Sequence, residues 1–206
     1  MWYMVVRGAI IIVFLVLILL IIFLKRMYRN HKVIMSIVIA VFAFISYILC
    51  VFPIENYFIT FKTPSDVCNY YMKFPVKEYI YNNDSCMAIG GNSGFESFVI
   101  LPKDKEGYKI PYYFQEVNVA NQFGQYGYFE IYTLRNTNDY YICGSISFVE
   151  EEVNIEVCDG SNLTVRSSEK NDLGYKTVWI YGAVNYSDDF FVIVNGEKVS
   201  LASSQS

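Results

Sequence analysis

The sequence predicts a membrane α-hairpin of two transmembrane helices followed by a mainly-β (α+β) extracytoplasmic domain. In that domain one short helix leads into an antiparallel sheet, a sandwich or a partly open barrel. Two observations carry the hairpin: Gly8 to Leu24 is a run of 17 residues without a charge, and Val33 to Ile54 is a run of 22. At ~1.5 Å per helical residue these reach roughly 26 and 33 Å, against a hydrocarbon core of about 30 Å. A third observation carries the β domain. From Val76 onward, short runs rich in aromatic and β-branched residues alternate with clusters of Gly, Asn, Asp and Pro.

Charge divides the chain at the same place. Residues 1–54 hold five basic residues and no acidic one, whereas residues 55–206 hold eleven basic and twenty acidic residues, a net of −9. The expected organisation is therefore a hairpin over 1–54, with spans at 8–24 and 33–54 and a loop at 25–32, and a β-rich domain over 55–206. A net of −9 argues against nucleic acid as a partner, because such partners need a basic face.

Taking the elements in order, Arg7 stands just before the first span and is expected to snorkel toward headgroups. The basic residues follow that span and no small-x-small site is present, so a cleaved signal peptide is not expected. Lys25, Arg26, Arg29 and Lys32 fall in the connecting loop, and an excess of basic residues marks the cytoplasmic side. The expected location is the cell membrane, multi-pass with two spans and an extracytoplasmic C-terminal domain. In the second span Ser36, Ala40, Ala43, Tyr47 and Cys50 fall at spacings of four, three, four and three. They share one helical face, a candidate packing surface for the first helix or for a partner protein.

In the domain, Thr63-Pro64-Ser65-Asp66 predicts a helix start: Thr63 caps, Pro64 suits the first turn and Asp66 complements the helix dipole. Val67, Tyr70 and Tyr71 then form its buried face, and Pro75 ends it. Strands are expected at Val76–Tyr81, Ser85–Ile89, Phe95–Leu101, Tyr108–Phe114, Tyr126–Leu134 and Tyr140–Phe148. Further ones follow at Val153–Cys158, Leu163–Ser167, Thr177–Asn185, Phe190–Val194 and Glu197–Leu201. Asn195-Gly196 joins the last two and is the strongest hairpin signal in the chain.

The pieces Glu55-Asn56-Tyr57-Phe58, Phe61-Lys62-Thr63-Pro64-Ser65-Asp66, Asp84-Ser85-Cys86 and Lys105-Glu106-Gly107-Tyr108-Lys109-Ile110 resemble small surface-anchored domains of low-GC Gram-positive bacteria. The resemblance covers about residues 55–110. It implies a bacterial envelope location and brings no activity and no functional residue.

The inventory of reactive groups is mostly informative by what it lacks. His31 is the only histidine and lies in the loop, so residues 55–206 contain none. That removes histidine-activated nucleophiles and histidine-ligated metal from the domain. Cys68, Cys86, Cys143 and Cys158 have no C-x-x-C spacing. An even count in an exported domain allows disulfides, with Cys143 and Cys158, in adjacent predicted strands, the candidate pair. Glu150-Glu151-Glu152 with Glu156 and Asp159 lacks calcium-loop spacing, and Gly90-Gly91-Asn92-Ser93-Gly94 lacks the Lys-Ser/Thr of a phosphate loop. No catalytic, metal or cofactor residue is nominated. Sixteen of the nineteen tyrosines lie in the domain, which suits interfaces as well as strands. The expected function is a non-catalytic binding or accessory domain. Its partners would be the lipid bilayer through the hairpin, and a peptide, an envelope glycan or a membrane protein through the domain. The alternative is a carboxylate-based hydrolase of envelope glycans.

Overall fold

The two apolar runs fold as helices α1 (Trp2–Lys25) and α2 (His31–Val51). The structure, a computed structural model, describes residues 2–25, 31–72, 74–92, 95–112, 114–124, 127–148, 153–168 and 175–203. Among the described residues no helix is long and apolar enough to cross a membrane. This overturns the two-span hairpin, and with it the multi-pass membrane location and the extracytoplasmic placement of residues 55–206. Two features bound the runs. Arg7 does not reach for headgroups. It is buried, donating from Nε and Nη2 to the two carboxylate oxygens of Glu55, each at 3.1 Å, and from Nη2 to the Phe52 carbonyl at 2.9 Å. The uncharged part of α1 is thus confined between this ion pair and Lys25. Helix α2 stops at Val51, and Ile54–Tyr57 turn separately as a 3-10 helix, so the second run loses its last turn to Pro53. Lys32 lies in the first turn of α2, and Arg26 and Arg29 lie outside the described residues.

The helices present matching stripes of partial burial. On α1 these are Gly8, Ile11, Phe14 and Ile18, and on α2 Phe42, Ile45, Ser46 and Ile48, at the three-and-four spacing of one helical face.

Helix α3 (Pro64–Tyr71) starts where the sequence places it. Thr63 Oγ1 accepts from the Asp66 amide at 3.2 Å and Asp66 Oδ2 accepts from the Thr63 amide at 3.1 Å, a reciprocal capping box worth about 1 kcal/mol. Val67 and Cys68 form its buried side.

Among the described residues twelve strands make three antiparallel sheets. The first holds β1 (Val76–Tyr81), β2 (Ser85–Asn92) and β3 (Phe95–Pro102) in sequence order. A six-stranded sheet is built from β4 (Glu116–Gly124), β5 (Gly127–Leu134), β6 (Tyr140–Phe148), β8 (Thr164–Ser167), β9 (Lys176–Val184) and β12 (Ala202–Ser203). Its order is β12-β4-β5-β6-β9-β8. A small sheet orders β11 (Glu197–Ser200), β10 (Phe191–Val194) and β7 (Ile155–Val157). Period-two alternation then sorts side chains into layers. Ile131, Ile142 and Ile180 point to the small sheet, meeting Val157, Val192 and Val194. Leu134, Tyr141, Cys143 and Tyr181 point the other way, against Met87, Ile89 and Ile100 of the first sheet. The far face of that sheet, through Cys86, Ala88 and Leu101, packs on Val67 and Cys68 of α3 with Phe61, Tyr108 and Ile110.

Two segments differ from expectation. Strand β4 is not legible as alternation because its register shifts between Asn118 and Ala120, and a bulge of this kind resets the period. Among the described residues of 108–114 no strand forms. Tyr108 makes only isolated bridges to Phe61 and Lys103, and Pro111, with no N–H, cannot join a ladder. The last hairpin turns at Asn195 (φ 49°) and Gly196 (φ 84°), the paired left-handed geometry that Asn-Gly favours.

One buried polar latch ties the first sheet to the second. Asp139 Oδ2 accepts from the Ser85 hydroxyl at 2.6 Å and from the Asp84 amide at 2.7 Å. Ser85 Oγ, its proton committed to Asp139, accepts in turn from the Tyr141 hydroxyl at 2.8 Å. All three side chains are buried. Asp139→Ala strands the Ser85 hydroxyl and the Asp84 amide, so it should lower the unfolding free energy by about 2 kcal/mol or more. Urea denaturation, read as a reduced midpoint with an unchanged slope, checks this.

Candidate functional site

An open cleft sits where α2 hands over to the β domain. Residues 52–57, the β3 end and the strap after it converge on a cleft of about 340 Å³, lined by Asn56, Tyr57, Lys103, Asp104, Tyr112 and Gln115 among others. Each wall is fixed by a local device. Asn56 acts as a surrogate strand: its Nδ2 donates to the Ile110 carbonyl and its Oδ1 accepts from the Ile110 amide, both at 2.9 Å. Tyr57 ends the 3-10 helix and is 79% exposed. Tyr112 stands edge-on to Phe52, centroids 6.0 Å apart, and its amide donates to Gln115 Oε1 at 3.1 Å.

The opposite lip is a tight turn. Asp104 Oδ1 accepts from the amides of Glu106 at 2.8 Å and Gly107 at 3.0 Å, and Lys109 Nζ lies 3.5 Å from Oδ2. Desolvation pushes the Asp104 carboxyl up, but the two amides and Lys109 together outweigh it and hold its pKa below the usual value. Gly107 takes φ +149°, and a Cβ there would lie 2.3 Å from the Phe61 carbonyl oxygen, so only glycine lets the turn dock. Lys103 is exposed, with Nζ 6.0 Å from the Tyr108 ring centroid, and makes no ion pair among the described residues. Cleft chemistry is therefore two tyrosine rings, one uncommitted ammonium, an amide and a carboxylate.

The nominated residues fare unevenly. Ser36, Ala40, Ala43 and Tyr47 are all exposed, so this stripe is not the face α2 turns toward α1; the side chain of Cys50 lies outside the described residues. Cys143 and Cys158 are not brought together. Both thiols are free, as are Cys68 and Cys86. Cys143 points from β6 toward the first sheet, whereas Cys158 follows β7 on the other side and accepts from the Phe191 amide at 3.4 Å. Cys68 and Cys86 share one apolar cluster; burial pushes their thiols up to about 11 and about 12, which leaves little thiolate at neutral pH. Glu150, Glu151 and Glu152 lie outside the described residues; no group of three or more metal-ligating side chains occurs among those described. Consecutive tyrosines split between layers: Tyr140 packs with Tyr186 toward the small sheet, and Tyr141 faces the first sheet.

Sequence reasoning missed Lys103, Asp104 and Gln115 as one site, since only the docking of residues 102–115 against residues 52–61 unites them. It also missed two partly buried carboxylate clusters. Glu96, Lys77, Arg166 and Glu78 form a chain of ion pairs, Lys77 to Glu96 at 2.6 Å and Arg166 at 3.6 Å from each carboxylate. Glu130 accepts from Asn118 and Tyr132, each at 3.0 Å. Residues far apart in sequence meet here: Glu55 pairs with Arg7, Asn56 with Ile110, and the Tyr108 amide donates to the Phe61 carbonyl at 2.7 Å. The chain matches no protein-family model, no curated protein and no solved structure.

Glu116 gives a pH signature. Burial raises its pKa, and the hydrogen bond it accepts from the Ile100 amide at 2.9 Å offsets this only in part. A carboxyl whose folded pKa lies above its unfolded value destabilises the fold progressively as pH rises past the unfolded value of about 4.3. Glu116→Gln, which keeps the acceptor and drops the charge, should raise the melting temperature at pH 7 and lose that advantage near pH 4. Scanning calorimetry at the two pH values checks it.

Proposed function

We propose that this chain is a non-catalytic binding module that joins a partner protein through its helical pair and presents the β domain beside it. The observation that carries this reading is the apolar surface left open on α1 and α2. Leu19 is 63% exposed and Tyr47 60%, with Ile12, Leu15, Ile39 and Phe44 also open. A continuous apolar surface of this kind is an interaction site rather than an ordinary solvent face. The Ser36, Ala40, Ala43 and Tyr47 stripe lies within it. Small side chains there let another helix approach closely, and Tyr47 supplies a large flanking contact. The occupant is therefore a protein that offers an apolar helix.

The β domain contributes fixed recognition surfaces. Its layers are locked by buried polar contacts, and its exposed aromatics, Phe58 (85% exposed), Tyr57, Phe114 and Phe123 among them, are types enriched at protein contacts.

A photo-crosslinking residue replacing Ala43 in the full chain should capture one defined partner in cells, identified by mass spectrometry. A crosslinker at Glu197, on the exposed rim of the small sheet, should not capture it. Ala40→Phe, which fills the stripe without removing apolar surface, should reduce capture at least about fivefold. Equal capture from both positions, or capture indifferent to Ala40→Phe, would refute the reading.

A further inference from the structure

The cleft beside Tyr57 has a chemistry of its own, and we propose that it binds an acidic saccharide, a sugar unit bearing a carboxylate. This rests on the binding-module reading and gives that module a ligand distinct from its helical partner.

Three requirements converge. First, two aromatic rings flank the cleft from different segments: Tyr57 from the 3-10 helix and Tyr112 from the strap, the latter held edge-on by Phe52. Pyranose rings have apolar C–H faces that pack on such rings, whereas free inorganic anions have nothing to offer them. Second, the cleft provides both kinds of polar partner for hydroxyls. Gln115 uses Oε1 on the Tyr112 amide and keeps its Nε2 donors. Asp104 remains ionised in a position where its oxygens still have accepting capacity beyond the Glu106 and Gly107 amides. A ligand that satisfies Asp104 must donate, which a hydroxyl does and a phosphate dianion does not. Third, the charges in the cleft are not equivalent. Lys109 is committed to Asp104 at 3.5 Å and Glu106 at 3.7 Å, so among the described residues lining the cleft the ammonium left for a ligand is Lys103. A carboxylate on a hydroxylated, C–H-faced ring meets all three demands. The volume of about 340 Å³ suits one or two sugar units at the low end of ligand sites.

The cleft is also held without ligand. Asn56, in its wall, bonds twice to the buried Ile110 backbone, so little ordering cost falls on the binding step.

Titration calorimetry of the full chain decides the matter, with trigalacturonate as the acidic probe and galactotriose as its neutral counterpart. Trigalacturonate should bind saturably and more tightly than galactotriose. Tyr57→Ala should weaken both about tenfold. Lys103→Gln should weaken trigalacturonate about tenfold, leave galactotriose unchanged and so erase the difference. Both side chains are exposed, so thermal melts of the two variants should match the parent. No saturable binding, equal binding of the two sugars by the parent, or a tetraglutamate peptide binding more tightly than trigalacturonate would overturn the proposal. Partner capture from position 43 is measured separately. Its persistence after failed saccharide binding would reject the ligand while sparing the binding module, and its loss would reject the module.

Discussion

Burying both faces of one antiparallel sheet is the constraint on which the β domain depends. Strands β5, β6 and β9 sit in the middle of the six-stranded sheet, with one core toward the small sheet and another toward β1–β3. A strand covered on both sides has no solvent face on which to place polar residues, so it reads as nearly continuous apolar sequence. Tyr141-Ile142-Cys143 and Ile180-Tyr181 follow that rule, and adjacent residues serve opposite cores. Close approach is demanded as well: a Cβ at Gly144 would come within 2.7 Å of the Phe129 ring.

Polar groups trapped in such layers must answer to one another. Asp139 answers Ser85 and the Asp84 amide, Thr133 donates to the Asp139 carbonyl at 2.8 Å, and Glu130 answers Asn118 and Tyr132. An unmatched group there carries its full desolvation cost, whereas a matched pair contributes modestly. These contacts therefore select one way of stacking the sheets more than they add stability. Cys143 belongs to the same logic. It fills space on a crowded face, and its burial raises the thiol pKa well above the usual value, the behaviour of a packing residue.

Local signals in the sequence were legible wherever the physics was local. Thr63-Pro64-Ser65-Asp66 announces a capped helix, Asn195-Gly196 a tight hairpin, and uninterrupted β-branched and aromatic runs announce strands. Strand β4 failed because Asn118, Asn121 and Gln122 look like loop residues and the bulge hides the alternation of Val117 and Val119. The N-terminal reading failed for a different reason. Hydropathy weighs Arg7 as a charge adjoining an apolar run, while its Glu55 partner lies 48 residues away and no periodicity announces it. The cleft was illegible in the same way, since a turn at Asp104 and a short helix at Asn56 become one site only through contacts across more than fifty residues. Cys143 and Cys158 looked adjacent because consecutive strands usually pair; β7 instead leaves for the small sheet, on the face Cys143 does not see.

Arg7 brings these threads together. Its guanidinium is shared between Glu55 and the Phe52 carbonyl, and each of those residues leads into one wall of the cleft. Phe52 braces the Tyr112 ring, and Glu55 precedes Asn56 and Tyr57 in the same short helix. Arg7 and Glu55 are both buried, and removing one partner of such a pair leaves an uncompensated charge at a cost of about 3–5 kcal/mol. That is several times what an exposed pair contributes, so α1 cannot tilt away from the domain without breaking a contact comparable to a large share of a domain's stability. The helical pair and both aromatic walls are therefore tied to one buried ion pair.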